Sequence, residues 1–594
     1  MTGEKLLFRH LRWTLVGFVL TAAQFCTGLA TGAQPAILAY SAYPNPYLTD
    51  HARDVARLYD GLIFPLGDWE EAIPRRLGVA GTSQADSSWY RLIRENLRAL
   101  VAAGVTENLL DVYFSSGGTW PSQETLLSAD FTRKMARYFG RLAEAARDLG
   151  FRGVCIDLEY PYPRYELDHP QYRYGTVTPG RLLEAARLQG RAVGEAILRA
   201  YPDAVVWTLP GVVRTRPIAR AFWLGLLDAL ASRDAPGGLH LGMEFTYSLL
   251  DPATVLASSR AEELALSTLV DSSTFAYWRK RCSVAPGVWP LHMVETGGKN
   301  YPVRPWKKEV AELRQQLALL SAVAKRYVWT YSGTPLWYRW TPELGRRYGL
   351  REQKFRRPDV DVADWQALLQ RRSQLDAASP FWPWVKAIRS YDRGELSGEE
   401  LCWRFGTPAR WWTLIPLSNP RSDPAFSAPE AMKRLPDTQT PYIGRDGVVR
   451  WFVWDNFDPR GAVSPRAIVD WWKTDSTSAV FVATVCSDRP RDVFVEAGWD
   501  DGLLVCVNGD TVLDRRDYPR RGHGWHYRDR YIFEDRAPVH LPSGCSTVRV
   551  LSLNSHGNWV FSIRFVDENG LPVSDLRFSL PNDPCKARRR RSAR

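Results

Sequence analysis

The chain has 594 residues, which exceeds one ordinary domain and implies two or three. Hydrophobic residues make up 45% and charged residues 24%, the balance of a globular protein, and 25 Trp and 25 Tyr give it a surplus of large aromatics. The formal charge is +12, but no zinc-type Cys pair, P-loop or nucleic-acid motif accompanies it, so nucleic acid is not expected as a partner.

The first element is a targeting signal. Lys5, Arg9 and Arg12 precede the apolar stretch Trp13–Phe25, and small residues follow around Ala30–Ala33. This is the order of a secretory leader, expected to be removed near residue 33 and to place the chain outside the cytoplasm, secreted or periplasmic. The apolar core is too short for a stable membrane span. Ala23-Gln24-Phe25 before Cys26 is not a convincing lipobox. Seven cysteines remain after cleavage, widely spaced and odd in number; Cys486, Cys506 and Cys545 have the material for one bridge.

Residues 34–375 alternate short apolar runs with helical patterns. The runs are Ala36–Tyr40, Gly61–Leu66, Leu109–Phe114, Gly153–Glu159, Val205–Leu209, Leu239–Tyr247, Trp289–Glu295 and Tyr327–Tyr331. Amphipathic stretches such as Phe131–Leu149 and Pro179–Ala200 lie between them, the second opened by Thr178-Pro179 as cap and first-turn proline. Eight such units predict an α/β fold, a (β/α)8 barrel. No G-x-G-x-x-G turn follows the first run, which argues against an open nucleotide-binding sheet. Residues 376–407, rich in Pro, Trp and Arg, are expected to be a connector. From 408 to 580 the pattern is all-β, with strand-like runs at Trp411–Leu417, Ala479–Val485, Asp492–Ala497, Leu503–Val507, Thr547–Leu553 and Val560–Phe565. Turn signals at Asp500-Asp501-Gly502 and Asn508-Gly509-Asp510 separate strands, so an antiparallel β-sandwich is predicted, followed by a basic tail over 581–594. The Asn-Gly pair predicts a type I′ hairpin with positive φ at both residues.

In this all-β region Trp499–Gly509, the run Val539–Leu553 and Gly557-Asn558-Trp559-Val560-Phe561 resemble the hairpin and closing strands of galactose-binding-like jelly rolls. Trp412–Leu417 resembles their opening strand, with Ile415 and Leu417 replacing Gly and Phe. The resemblance implies a jelly-roll module that either binds glycan or packs on the catalytic domain.

The sharpest barrel motif is Gly153-Val154-Cys155-Ile156-Asp157-Leu158-Glu159-Tyr160-Pro161. Strand alternation puts Cys155, Asp157 and Glu159 on one face, the barrel interior, with Glu159 at the C-terminal mouth where barrel enzymes place their sites. Two inward carboxylates raise each other's pKa, as a general acid near neutral pH requires; a buried salt-bridge anchor is the competing role. The segment resembles the D-x-E-Y-P end of the chitinase-type signature D-x-x-D-x-D-x-E, with Cys155 and Arg152 where the first two acids belong. That resemblance implies Glu159 as proton donor, Asp157 orienting the substrate's N-acetyl group as nucleophile, Tyr247 nearby and Trp329 as floor. Glu295, ending the seventh run, gives a second arrangement. Acid on strand four and nucleophile on strand seven is similar to the largest clan of retaining barrel glycosidases, with Leu158 where that clan has Asn. A loop-anchoring role competes for Glu295, and Glu244 on the sixth run is a third acidic candidate.

Tyr40, Asp68, Trp69, Trp207, Glu244, Tyr247, Trp329 and Tyr331 also fall at or near run ends, as a sugar-stacking cleft requires. His240 and His292 lack metal-ligand spacing and are expected in the core; no metal or cofactor motif is present. The sequence therefore predicts a glycoside hydrolase acting on a carbohydrate substrate through Glu159, Asp157 and Glu295. The alternative is a non-catalytic glycan-binding or scaffold protein with a degenerate barrel site.

Overall fold

The computed structural model describes residues 34–40, 42–65, 88–113, 123–158, 176–209, 211, 217–291, 305–355, 358–370, 374–419, 428–469, 474–516, 532–557 and 559–581. Eight parallel strands close a barrel: β1 (Ala36–Tyr40), β2 (Gly61–Pro65), β3 (Leu109–Tyr113), β4 (Gly153–Asp157), β5 (Val205–Leu209), β6 (Leu239–Met243), β7 (Ser283–Val288) and β8 (Tyr327–Thr330). Closure is made by β1, which pairs Leu38 with Gly61 on one side and with Trp329 on the other. The strands read as apolar runs because both of their faces are buried. One face packs against the surrounding helices, and the other fills the barrel with Leu38, Ile63, Leu109, Cys155, Val205, Trp207, Ala285, Tyr327 and Trp329. Gly242 and Gly287 make room for the largest of these. A Cβ at Gly242 would lie 2.5 Å from the Trp207 indole nitrogen, and one at Gly287 would lie 2.6 Å from the Tyr247 ring.

Helices Ala129–Leu149 and Pro179–Ala200 cover the outer face beside β4. The first is capped by Ser128, whose side chain accepts from Phe131 N, and ends on Gly150 in the left-handed region at φ 95°. The second has proline in its first turn, as its sequence predicts, while the Thr178 side chain makes no capping bond.

Several strand ends differ from the sequence pattern: β4 stops at Asp157, two residues before Glu159, β8 stops at Thr330, and the sixth and seventh strands differ more. The seventh strand is Ser283–Val288 rather than the run beginning at Trp289, so Glu295 lies seven positions past its end. Pro286 and Gly287 make the true strand look weak, and the following Trp289 makes its successor look strong. The sixth strand stops at Met243, and Tyr247 sits in the turn that follows.

Residues 376–407 contain helices Trp382–Asp392 and Gly398–Arg404, the second opened by a capping box of Ser397 and Glu400. Trp384, Val385, Ile388, Tyr391 and Leu401 from these helices are buried in the barrel's outer core.

Antiparallel strands follow: β9 (Arg410–Ser418), β10 (Tyr442–Gly444), β11 (Gly447–Val449), β12 (Phe452–Asp455), β13 (Ala462–Val463), β14 (Thr477–Ser487), β15 (Arg491–Trp499), β16 (Gly502–Val507), β17 (Asp510–Asp514), β18 (Asp535–Leu541), β19 (Gly544–Asn554), β20 (Phe561–Val566) and β21 (Arg577–Ser579). A seven-stranded sheet in the order β12-β9-β14-β19-β16-β17, with β21 on β14, faces a four-stranded sheet β13-β20-β15-β18. Trp411, Phe481, Val505 and Val550 from one sheet meet Val495, Val539, Ile563 and Phe565 from the other in a common core, the sandwich expected from the sequence. The hairpin joining β16 to β17 has Asn508 at φ 53° and Gly509 at φ 97°, the positive pair a type I′ turn requires. Cys486 and Cys545 stand opposite each other on β14 and β19 and form a disulfide, while Cys506 stays a free thiol.

From Ala36 onward the chain is one compact unit, and buried charge joins barrel to sandwich. Helix Pro252–Leu266, which follows β6, is buried on every face. Arg460 donates from Nη2 to Glu262 of that helix at 3.2 Å and to Asp458 at 2.8 Å, with its guanidinium 4.8 Å from the Phe245 ring centre. Arg564 of β20 donates to Asp251, the helix N-cap, at 2.7 Å and to Glu496 of β15 at 2.7 Å. Burial alone would raise the Asp251 carboxyl, but Arg564 overrides it and holds that carboxyl below its usual range.

Candidate active site

Alternation along β3 and β4 sends Leu109, Asp111, Cys155 and Asp157 into the barrel, while Leu110, Val112, Val154 and Ile156 face the helices. Asp111 stands beside Cys155 in the β3–β4 register. From β1, Tyr40 reaches across the interior. Its hydroxyl oxygen lies 2.7 Å from Asp111 Oδ2 and 3.2 Å from Asp157 Oδ2. A phenol has one proton, so it donates to one carboxylate at a time; for both contacts to be hydrogen bonds the trio must hold a further proton. The surroundings favour that proton. Burial pushes the Asp111 carboxyl up to about 6, against the opposing pull of the Tyr40 hydrogen bond. Burial and then the Asp111 charge push the Cys155 thiol well above its ordinary value. Asp111 and Asp157 are 0% and 2% exposed, so water does little to relieve them.

This pair yields a stability prediction. Because Asp111 titrates at about 6 in the folded chain against 3.8 ordinarily, the protonated form favours folding. That advantage is complete below the ordinary value and is lost as pH rises through 6. Between pH 4 and pH 7 the protein is expected to lose on the order of 2–3 kcal/mol through this group. Asp111→Asn, which cannot ionise, should escape that loss; urea unfolding at the two pH values measures it, and identical pH dependence in both proteins would refute it.

Above the carboxylates lies an aromatic wall. Tyr247 sits 5.3 Å from Trp329, 5.5 Å from Trp289 and 6.0 Å from Tyr331, ring centre to ring centre. Tyr40 lies 5.9 Å from Trp329 and 5.8 Å from Tyr331. The Trp329 indole is fixed by donation to Ala285 O at 3.0 Å. The half-buried Glu244 accepts from the Tyr247 hydroxyl at 3.3 Å, which puts a third carboxylate at this wall. The turn carrying both is anchored from two sides: Thr246 donates its hydroxyl to Gly287 O at 2.7 Å, and Gln316 donates its amide to Thr246 O.

The structure thus brings together Tyr40, Asp157, Glu244, Tyr247, Trp329 and Tyr331. Trp207 is different. It is mid-strand and fully buried, 5.3 Å from Tyr327, so it packs the barrel interior, and Leu209 ends β5 instead. His240 is also interior, with Nδ1 at 2.8 Å from Ser283 Oγ and Nε2 at 3.0 Å from Gly237 O. Asp68, Trp69, Glu159, Glu295 and His292 lie outside the described residues. Among the described residues no three His, Cys, Asp or Glu side chains converge as metal ligands, and no helix is long and apolar enough to cross a membrane.

Two members were not anticipated. Asp111 carries the same signal that marks Asp157, an acid at inward parity in an apolar strand. Trp289 is hidden because its run is mistaken for the strand it follows.

The sequence matches no family model and no curated protein. Among solved structures it is similar to a GH18 chitinase from Pseudoalteromonas aurantia at 11% identity and a TM-score of 0.30, covering 50% of this chain and 93% of that one. It is similar to a GH10 xylanase from Thermobacillus composti at 15% identity and a TM-score of 0.29, covering 57% and 97%. It is also similar to a morphinone reductase variant at 13% identity and a TM-score of 0.27, covering 57% and 94%.

Proposed function

We propose that the chain is a glycoside hydrolase that cleaves a poly- or oligosaccharide at the C-terminal mouth of its barrel. The observation that carries this reading is the Asp111–Tyr40–Asp157 cluster, which holds acidic groups with a shareable proton beneath the wall of Tyr247, Trp289 and Tyr331. Sugar rings present flat C–H faces that stack on such rings, and carboxyl groups with separated pKa values divide the work of acid and base. Glu159 follows Asp157, the last residue of β4, by two positions, and the sequence pattern assigns it to the barrel mouth. Glu159 is the general acid: it protonates the glycosidic oxygen as the bond to the anomeric carbon breaks, then as carboxylate accepts a proton from the incoming water. The leader-like segment before residue 33 supports action outside the cytoplasm.

Two nucleophiles fit this scheme, and two variants separate them. If Glu295 attacks the anomeric carbon, Glu295→Ala should be inactive and regain turnover with azide, while Asp157→Asn is only impaired. If the substrate's N-acetyl group attacks, Asp157→Asn is the severe variant and only N-acetylated sugars are cleaved. A screen of purified protein on a glycan panel, with Glu159→Gln beside it, tests the reading as a whole. Hydrolysis that is unchanged in the variant removes the acid role from Glu159, whereas binding without hydrolysis of any glycan by the parent protein favours the scaffold alternative.

A further inference from the structure

At the end of the barrel away from its mouth, two barrel helices and the segments that follow the barrel meet around an open cavity of about 500 Å³. Its position follows from the chain path. Helix Pro252–Leu266 starts beyond the mouth end of β6 and runs back along the barrel, so Leu264 lies at the far end. Helix Ser272–Arg281 ends just before β7 begins at Ser283, and its Tyr277 donates to Ala235 O, ahead of β6. Leu264, Phe275 and Arg279 from these helices line the space with Tyr391 and Leu396, which follow the barrel, and Phe457, which follows β12. The volume lies within the roughly 300–1,000 Å³ of small-molecule pockets.

Arg279 carries the argument. The buried Arg260, Arg460 and Arg564 each meet a carboxylate within 2.8 Å. The half-buried Arg279 meets none among the described residues. Its Nη2 donates to the main-chain oxygens of Tyr391 and Asp392, both at 2.8 Å, and its guanidinium carbon lies 5.5 Å from the Tyr391 ring centre. These contacts fix the group without neutralising it, and its Nη1 has no hydrogen-bond partner among the described residues. Gly394, in the left-handed region at φ 79°, stands over the guanidinium, where even a Cβ would come within 3.8 Å of Nη1. A second polar group is also unsatisfied: Tyr391 is 4% exposed, and its hydroxyl has no hydrogen-bond partner. The two acids of the lining are engaged. Glu395 accepts from Arg393 Nε at 2.6 Å and Nη2 at 2.8 Å, and Glu400 accepts from Ser397 N at 2.9 Å in the capping box. Holding a partly desolvated cation without a counterion costs folding energy, and an anion that docks there recovers it through a charge-assisted hydrogen bond. The apolar lining beside it excludes a bare, fully hydrated ion and favours an anion with an apolar body.

We propose that this cavity binds a small organic acid, with its carboxylate on Arg279 Nη1 and its apolar or aromatic body against Phe275, Leu396 and Phe457. The site is separate from the barrel mouth and does not depend on hydrolysis there. A bound acid touches barrel helices and the segments beyond them at once, so it stabilises their joint by mass action.

Saturation-transfer NMR of the full chain with benzoate, phenylacetate and 3-phenylpropionate, beside their uncharged amides and inorganic phosphate, tests this. The tightest acid is expected to bind with a Kd of about 1–5 mM or below, as ligands of this size do at ordinary efficiency. Its amide should bind about tenfold more weakly, since it brings no charge to Arg279. Phosphate should not displace the acid, because it fills none of the apolar space. Arg279→Gln should weaken binding about tenfold, and Arg279→Lys, which keeps the charge on a different head, should fall between. Phe275→Ala should weaken it as well, while Phe275→Leu keeps most of it. Lys386→Gln, which removes an exposed charge from helix Trp382–Asp392, should change nothing. The acid should also raise the Tm of the parent and not that of Arg279→Gln. Near-ultraviolet circular dichroism checks the fold of each variant, and the Lys and Leu variants decide the matter if the harsher pair misfolds. The proposal is overturned if none of the three acids binds, if the amide binds as tightly as its acid, if phosphate displaces the acid, or if Arg279→Gln binds as the parent does.

Discussion

Glu159→Gln is expected to lower turnover by about 10²–10⁴ while leaving substrate affinity nearly intact. The amide keeps the carboxyl group's shape and can hydrogen-bond a sugar oxygen, but it has no acidic proton to give. Cleavage depends on that proton, because an alkoxide leaving group is a poor one at neutral pH. The residues beneath the mouth reinforce the argument. Asp111 and Asp157 are bridged through Tyr40 and buried, so the negative charge they hold is poorly screened, and a carboxyl brought close to it would be held protonated. Steady-state kinetics on whichever glycan responds gives kcat/KM, and calorimetry on the inactive variant gives binding. A fall in binding alone would make Glu159 a contact residue, and no fall in either would remove Glu159 from the site.

Arg460→Met is expected to destabilise the whole chain by about 3–5 kcal/mol. Arg460 is 6% exposed, and its partners Glu262 and Asp458 are 2% and 0% exposed, so its removal leaves two carboxylates in a dry interior without a counterion. Combining Arg460→Met with Glu262→Gln and Asp458→Asn removes the orphaned charge and should recover most of the loss. Urea unfolding followed by circular dichroism measures both; equal stability of parent and single variant would defeat the argument. The same geometry bears on truncation after residue 405. Reading barrel and sandwich as separate domains predicts that the barrel's chemistry survives such a cut in principle, with apolar surface exposed where the modules pack. The structure shows Glu262 and Asp251 of the barrel taking their arginine partners from beyond it, so the shortened chain is expected to unfold.

The barrel was legible because parallel strands buried on both faces leave short apolar runs, and seven of the eight runs lie on strands. The exception is instructive: Ser-Val-Ala-Pro-Gly-Val is a strand because β6 and β8 flank it, not because its residues favour one. The turn at Asn508-Gly509 was legible because its requirement is local. The disulfide was legible only as a choice among three cysteines; the register that sets Cys486 opposite Cys545 decides it. Asp157 could be found by alternation and Asp111 by the same rule, yet their meeting through Tyr40 could not, since it joins residues 71 and 117 positions apart. The arginine pairs at the barrel–sandwich boundary leave no mark on local spacing at all.

Those pairs also set an order of events for a newly made chain. Glu262 precedes Arg460 by 198 residues, and Asp251 precedes Arg564 by 313. At a synthesis rate of about 5–20 residues per second, the ribosome needs about 10–60 s to supply the missing cations. Until then the helix after β6 carries two acids that water must keep, and it cannot sink into the place it finally occupies. The barrel, although encoded first, is finished from its far end, so its maturation belongs to the completed polypeptide rather than to the nascent one.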